Sequence, residues 1–172
     1  MVIMDDSIAL KNCLDGDTES FRHLVERYQN QAVGHATAVL GNREDALDAV
    51  QEAFVDAFRA IDKFDSSRRF YPWFYVLLRN RCFKMLATPG RQNTISKEDS
   101  EILAPGNESS IEDTLALEAA LLALTPEDRE LITLKYLDGL SYQELANLLQ
   151  IPRGTVMSRL FYARKQLQSI LT

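Results

Sequence analysis

Residues 124–167 read LTPEDRELITLKYLDGLSYQELANLLQIPRGTVMSRLFYARKQL, and their pattern decides the fold. Thr125-Pro126-Glu127-Asp128 opens a helix. A hydroxyl caps it, proline occupies the first turn where no N–H is needed, and acids sit at the positive end of the backbone dipole. That helix carries Leu131, Ile132, Leu134 and Tyr136 and stops at Asp138-Gly139. Ser141-Tyr142-Gln143-Glu144 is a capping box, with Leu145, Ala146, Leu148 and Leu149 turned inward behind it. Ile151-Pro152 interrupts the run, and a last helix aligns Val156, Leu160, Ala163 and Leu167 on one face. Two short helices joined by a tight turn, the second one basic, make a helix-turn-helix, which lays its second helix in the major groove of DNA.

At about 100° per residue, Gly154, Ser158, Phe161 and Lys165 lie opposite the buried stripe, with Tyr162 beside them. Arg159 and Arg164 flank the stripe. Outward side chains of such a helix reach base edges, while flanking arginines hold phosphates. A solvated helical hairpin is the plain alternative, but residues 151–172 hold four bases (Arg153, Arg159, Arg164, Lys165) and no acid.

Toward the N-terminus the pattern stays helical, without β-type alternation. Residues 88–110, TPGRQNTISKEDSEILAPGNESS, hold only Ile95, Ile102 and Leu103 as large apolar side chains and read as a linker. An apolar stripe follows through Ile111, Leu115, Leu121, Leu122 and Leu124. Before the linker, Asp17 is expected to cap a helix with Phe21, Leu24, Val25 and Tyr28 inward, and a second helix is expected over 31–40, ending at Gly41-Asn42. A third begins near Arg43 with the stripe Leu47, Val50, Phe54, Phe58 and Ile61. Residues 64–69 form a loop, and a fourth helix spans about 71–86. The expectation is an all-α protein of two small helical domains, 8–87 and 111–172, joined by the 88–110 linker.

Composition narrows the function. The apolar fraction of 46% suffices for packed cores, and no apolar run approaches the roughly 18–20 residues that span a bilayer. Cys13 and Cys82 make neither a disulfide framework nor a metal site and read as reduced packing thiols in a cytoplasmic protein. His23 and His35 are the only histidines, no glycine-rich phosphate loop occurs, and no nucleophile-and-base pair can be nominated. No catalytic residue, metal, cofactor, small-molecule substrate or membrane insertion is expected. The net charge of −6 is unlike that of a simple nucleic-acid binder, but the charge is segregated. Glu44, Asp45, Asp48, Glu52 and Asp56 form a stretch without a base. Arg59, Lys63, Arg68, Arg69, Arg79, Arg81 and Lys84 follow, against only Asp62 and Asp65. An acidic helix face suits a basic protein partner and would repel DNA. The basic segment after it suits phosphates, and Phe64, Phe70, Tyr71 and Trp73 could stack on an unpaired base, Trp73 being the most structural of the four.

These segments resemble the extracytoplasmic-function (ECF) sigma factors of bacterial RNA polymerase. Residues 124–167 are similar to sigma region 4, whose recognition helix has the signature matched by Gly154-Thr155-Val156-Met157-Ser158-Arg159-Leu160. Residues 42–64, NREDALDAVQEAFVDAFRAIDKF, resemble region 2, whose acidic Gln-Glu-x-Phe helix docks on the coiled coil of the polymerase β′ subunit. Residues 64–82, FDSSRRFYPWFYVLLRNRC, resemble the adjoining segment that reads the −10 element. The resemblance implies a factor that binds core polymerase through the β′ coiled coil and the β flap, and directs it to promoter DNA. It implies −35 contacts from Arg153, Thr155, Met157, Ser158, Arg159, Phe161, Tyr162, Arg164 and Lys165. The −10 contacts would come from Phe64, Asp65, Ser66, Ser67, Arg68, Arg69, Phe70, Tyr71, Arg79 and Asn80. Asp45, Asp48, Gln51, Glu52, Val55 and Asp56 would meet the polymerase, and an anti-sigma factor is a further expected partner.

The chain departs from the family pattern in three places. Asp45-Ala46-Leu47-Asp48 stands where Asp-Ala-Glu-Asp is usual. Met157 and Tyr162 stand where bases are common, and Ala87-Thr88-Pro89-Gly90-Arg91 replaces a basic run. The last two lower the positive charge offered to DNA. The rival reading is a stand-alone helix-turn-helix regulator, which would bind DNA without polymerase.

Overall fold

Eight α-helices and no strand occur among the described residues, 5–89 and 111–172, of the computed structural model. In order they are α1 (Asp6–Leu14), α2 (Phe21–Leu40), α3 (Arg43–Arg59), α4 (Phe70–Leu86), α5 (Ile111–Leu122), α6 (Pro126–Tyr136), α7 (Tyr142–Leu149) and α8 (Arg153–Leu171). The chain divides into two units, one of residues 1–36 with 44–91, the other of 37–43 with 92–172. Of the expected linker, only residues 88 and 89 lie among the described residues. No helix among the described residues is long and apolar enough to cross a membrane.

In the first unit, aromatic rings hold the helices together. Phe54 of α3 stacks on Phe74 of α4 at 4.3 Å between centroids, and Phe21 of α2 meets Phe54 and Phe70 edge-on at 6.4 and 6.3 Å. Leu10, Leu24 and Leu78 close the core. The expected break near Gln31 is absent, because α2 runs unbroken from Phe21 to Leu40. Tyr28-Gln29-Asn30-Gln31 is polar because three of those residues are solvent-exposed, and nothing in it stops a helix. Asp17 caps a short 3-10 turn that leads into α2, accepting from Glu19 N at 3.2 Å and Ser20 Oγ at 2.8 Å. Ahead of it, α1 is tied to α2 through Asp6, which takes hydrogen bonds from Arg27 and Tyr28. Burial and that carboxylate push the Tyr28 phenol up to about 12.

The face by which α3 packs differs from the expected stripe. Its buried residues are Ala46, Ala49, Val50, Ala53, Phe54 and Ala57, whereas Leu47 and Phe58 are 43% and 39% exposed. Alanine lets neighbouring helices approach closely, so the alanines join Val50 and Phe54 of the expected stripe in the core while Leu47 and Phe58 flank it. Phe58 still meets Phe21 edge-on at 5.2 Å.

In the second unit, Leu131, Leu134, Leu145, Val156, Leu160 and Ala163 are buried together. Thr125 Oγ1 accepts from Asp128 N at 3.2 Å, with Pro126 as the first helical residue, as the sequence predicts. Both halves of the capping box form: Glu144 N donates to Ser141 Oγ at 3.2 Å and Ser141 N to Glu144 Oε2 at 2.8 Å. Arg129 is buried, and its guanidinium donates to the carbonyls of Leu122 and Leu124 behind α5 at 3.1 and 2.9 Å. Such hydrogen bonds offset the desolvation of a buried charge, which here lowers its affinity for the proton. Leu115, on the expected apolar stripe, is 47% exposed, and Tyr136 of α6 is 55% exposed.

Candidate nucleic-acid and polymerase interfaces

Helix α8, expected to be the recognition helix, is positioned by the turn that precedes it. Gln150 ends α7 in the left-handed region at φ 55°, ψ 42°, and Ile151 N reaches back to Ala146 O at 3.2 Å. That reversal points α8 away from α7, and Pro152 starts it at Arg153. Val156, Leu160 and Ala163 anchor the inner face at 2% exposure or less. On the outer side stand Met157, Phe161 and Tyr162, 47, 55 and 67% exposed, with the two rings edge to face at 5.4 Å. Arg153, Ser158, Arg159 and Lys165 are exposed as well, and Thr155 is half-buried. Ser158 Oγ donates to Thr155 O at 3.1 Å, which leaves the hydroxyl oxygen able to accept. Arg164 leans on α6 instead, donating to Tyr136 Oη at 3.1 Å. The surface is a broad apolar and hydroxylic patch ringed by cations.

The loop before α4 is organised by one carboxylate. Asp65 Oδ1 accepts from Ser67 N at 3.0 Å and Ser67 Oγ at 2.6 Å, and Oδ2 faces Arg68 Nε at 3.4 Å. The Ser67 hydrogen bonds hold the Asp65 carboxyl below the usual carboxylate range. Ser66, Ser67, Arg68 and Arg69 are thus presented on a pre-shaped, exposed turn. Two expected −10 residues are not at that surface. Phe64 and Phe70 are 5% and 1% exposed, and they pack on Trp73 at 4.9 and 5.9 Å as parts of the core. Tyr71 is half-buried, its ring against Tyr28 at 5.0 Å and its hydroxyl 2.6 Å from His35 Nδ1. Trp73 is half-buried, Asn80 is exposed, and the Arg79 guanidinium lies 4.5 Å over the Phe83 ring.

On α3, Asp48, Gln51 and Val55 point directly away from the alanine face and are exposed. Leu47, which stands where the family pattern has an acid, joins this exposed surface instead of the core. Asp45, Glu52 and Asp56 lie round the flank of the helix. The last two meet a residue that no pattern in the sequence places there. Arg81 of α4 donates from Nε and Nη2 to the two Asp56 oxygens at 2.6 and 2.7 Å, and from Nη1 to Glu52 Oε2 at 2.9 Å. The fork holds the Asp56 carboxyl below its ordinary range and raises the guanidinium in return.

The sigma-70 region 2 family matches residues 24–92, and the sigma-70 region 4 family matches residues 114–167. The ECF RNA polymerase sigma-E factor of Haemophilus influenzae is 33% identical over 180 residues, covering 96% of this chain and 95% of that protein. The sigma-E factor of Escherichia coli K12 is likewise 33% identical, covering 96% and 94%. Among solved structures, CnrH in complex with the cytosolic domain of CnrY aligns over 96% of both chains, with a TM-score of 0.69 at 26% identity. The sigma factor RpoE of Bartonella quintana, in complex with the anti-sigma factor NepR, shares the fold with a TM-score of 0.71 at 24% identity, over 90% of this chain and 98% of that one. With both sigma regions in order on the helices built for them, and with full-length relatives at this identity, the chain belongs to the ECF family of RNA polymerase sigma factors.

Proposed function

We propose that this sigma factor divides its work among three surfaces: α3 for core polymerase, the 65–69 turn with α4 for the −10 element, and α8 for the −35 element. The family's members are initiation factors, not enzymes, and this chain binds core RNA polymerase and directs promoter-specific transcription. It acts in the cytoplasm, where polymerase and genome are. An anti-sigma factor, of the kind bound to the Bartonella quintana relative, is a further partner in this reading.

At the −35 element, Met157, Ser158, Phe161 and Tyr162 read base edges and thymine methyls, while Arg153, Arg159 and Lys165 anchor phosphates, with Thr155 at the helix start. Arg164 holds α8 to α6 and contributes charge. At the −10 element, Ser66, Ser67, Arg68, Arg69, Tyr71, Arg79 and Asn80 form the DNA face. Asp65 shapes the turn, and Phe64 and Phe70 support it from within. On α3, Asp48, Gln51 and Val55 meet the polymerase, with Asp45, Glu52 and Asp56 at the edge of that footprint.

The observation that carries this reading is the outward row Ser158, Phe161, Tyr162 and Lys165 on a helix whose other face is locked in a core. Transcription by core polymerase from a library with a randomised −35 element tests it. Tyr162→Arg is expected to change the selected sequence without changing the thermal melt. Lys165→Ala is expected to weaken all promoters about equally and to reduce the salt slope by about one unit. An unchanged preference for Tyr162→Arg, or a sequence-selective defect for Lys165→Ala, would mean the two roles are reversed.

A further inference from the structure

Arg81 lies 25 residues beyond Asp56 in the chain, yet it engages both oxygens of that carboxylate and one of Glu52. The Arg81 and Asp56 side chains are 29% and 27% exposed, so the pair sits at the lip of the surface and is not lost in the core. Glu52 is 58% exposed at the same place. Within the hydrogen-bonded cluster one cation faces two anions, so the cluster itself carries a single negative charge where the sequence shows two, and the charges of Arg59 and Lys84 also act on Asp56. Both Asp56 oxygens already accept short hydrogen bonds from the fork, so a basic residue of a partner would compete with Arg81 for them.

We infer that Arg81 is a specificity-determining residue that limits polymerase docking to the Asp48, Gln51 and Val55 side of α3 and holds down its affinity. The inference rests on the assignment of α3 to the polymerase. A basic partner approaching α3 meets the full field of Asp48 but only the residual field of the Arg81 cluster. The guanidinium itself repels the partner at short range. Removing its charge while keeping the side chain's bulk frees Asp56 and Glu52 together. The gain should be in association, because exposed charge acts mainly through electrostatic steering and is screened by salt.

The test is binding of the full chain to core RNA polymerase across a salt series, with a thermal melt of each variant as the folding control. Arg81→Met and Arg81→Gln are expected to bind roughly three- to tenfold tighter than wild type at low salt, the size of one exposed charge interaction, with the advantage shrinking as salt rises. Arg81→Lys, which keeps the charge, is expected to bind like wild type. A merely structural Arg81 would give altered melts with no tightening. Should Arg81→Met fail to fold, Arg81→Gln carries the comparison, since its amide can still donate to Asp56. Folded Met or Gln variants that bind core polymerase no more tightly than wild type overturn the inference. Asp48→Lys separates the two layers. If it binds core polymerase normally, the polymerase face is misplaced. If it binds weakly while Arg81→Gln is unchanged, only the role of Arg81 fails.

Discussion

Gln150 holds the one positive-φ conformation outside glycine among the described residues, and the turn between α7 and α8 depends on it. A left-handed residue with a Cβ costs roughly 1–2 kcal/mol. Glycine removes that strain but gives back about 0.5–1 kcal/mol in chain entropy. Gln150→Gly is therefore expected to stabilise the protein by about 0.5–1 kcal/mol, read as a rise in denaturation midpoint. A fall would show that the Gln150 Nε2 to Asn147 O hydrogen bond, 2.6 Å long, outweighs the strain. Asp56 makes a second prediction, in pH. Its carboxyl is held low chiefly by the Arg81 hydrogen bond, with the Arg81 charge adding to it. A depressed folded pKa contributes stability that is complete above the unfolded value of about 3.9, and that stability is lost as pH falls through the folded value. Wild type is therefore expected to melt above Asp56→Asn near neutral pH, with the gap closing as the pH falls below about 4. A gap that persists unchanged into strong acid would mean the ion pair adds nothing. Neither feature is legible in sequence. Glutamine gives no sign of a left-handed cap, and Arg81 finds its acids only when α3 and α4 pack.

Among the elements, α3 shows best what periodicity can and cannot reveal. Large apolar residues at 47, 50, 54, 58 and 61 suggest one stripe, but the helix packs through its alanines with Val50 and Phe54. Alanine carries little hydrophobic signal, so the true face was hidden behind bulkier neighbours. Phe54 is therefore the anchor, stacked on Phe74 and edge-on to Phe21. Phe54→Ala should cost about 3–5 kcal/mol in urea unfolding, as for a buried aromatic. Phe58→Ala, at a half-exposed site, should cost roughly 1–2 kcal/mol, following the area it removes from water. Equal losses would restore the stripe first read from the sequence. Helix α8 was legible because Val156, Leu160 and Ala163 leave no ambiguity about its inner face, so its outer row followed. The −10 segment was legible only as a segment. Phenylalanine serves a core or a base stack equally well in composition, and burial alone assigns Phe64 and Phe70 to the core.

At the scale of the whole molecule, a net charge of −6 sets the order of events. Several of the cations that the sequence offers to DNA are engaged within their own units. Arg81 holds Asp56 and Glu52, Arg68 faces Asp65, Arg79 covers Phe83 and Arg164 reaches Tyr136. Exposed cations outside these contacts include Arg59, Lys63, Arg69 and Lys84 in the first unit and Arg153, Arg159 and Lys165 in the second. Phosphate contacts from so few side chains, opposed by the acidic face of α3, give weak and steeply salt-dependent binding. With α3 as the proposed docking face, core polymerase would change that balance by covering the acids and supplying basic surface of its own. The isolated chain is therefore expected to show little retention of promoter duplex at about 150 mM salt, with binding that appears only as salt is lowered. Adding core polymerase should produce salt-tolerant binding and discrete transcription starts from the same DNA. Fluorescence titration of a labelled promoter, with and without core polymerase, makes the comparison directly. Nanomolar, polymerase-independent binding to a specific site at physiological salt would instead give the behaviour of a stand-alone helix-turn-helix regulator, with the acidic face of α3 left without a use.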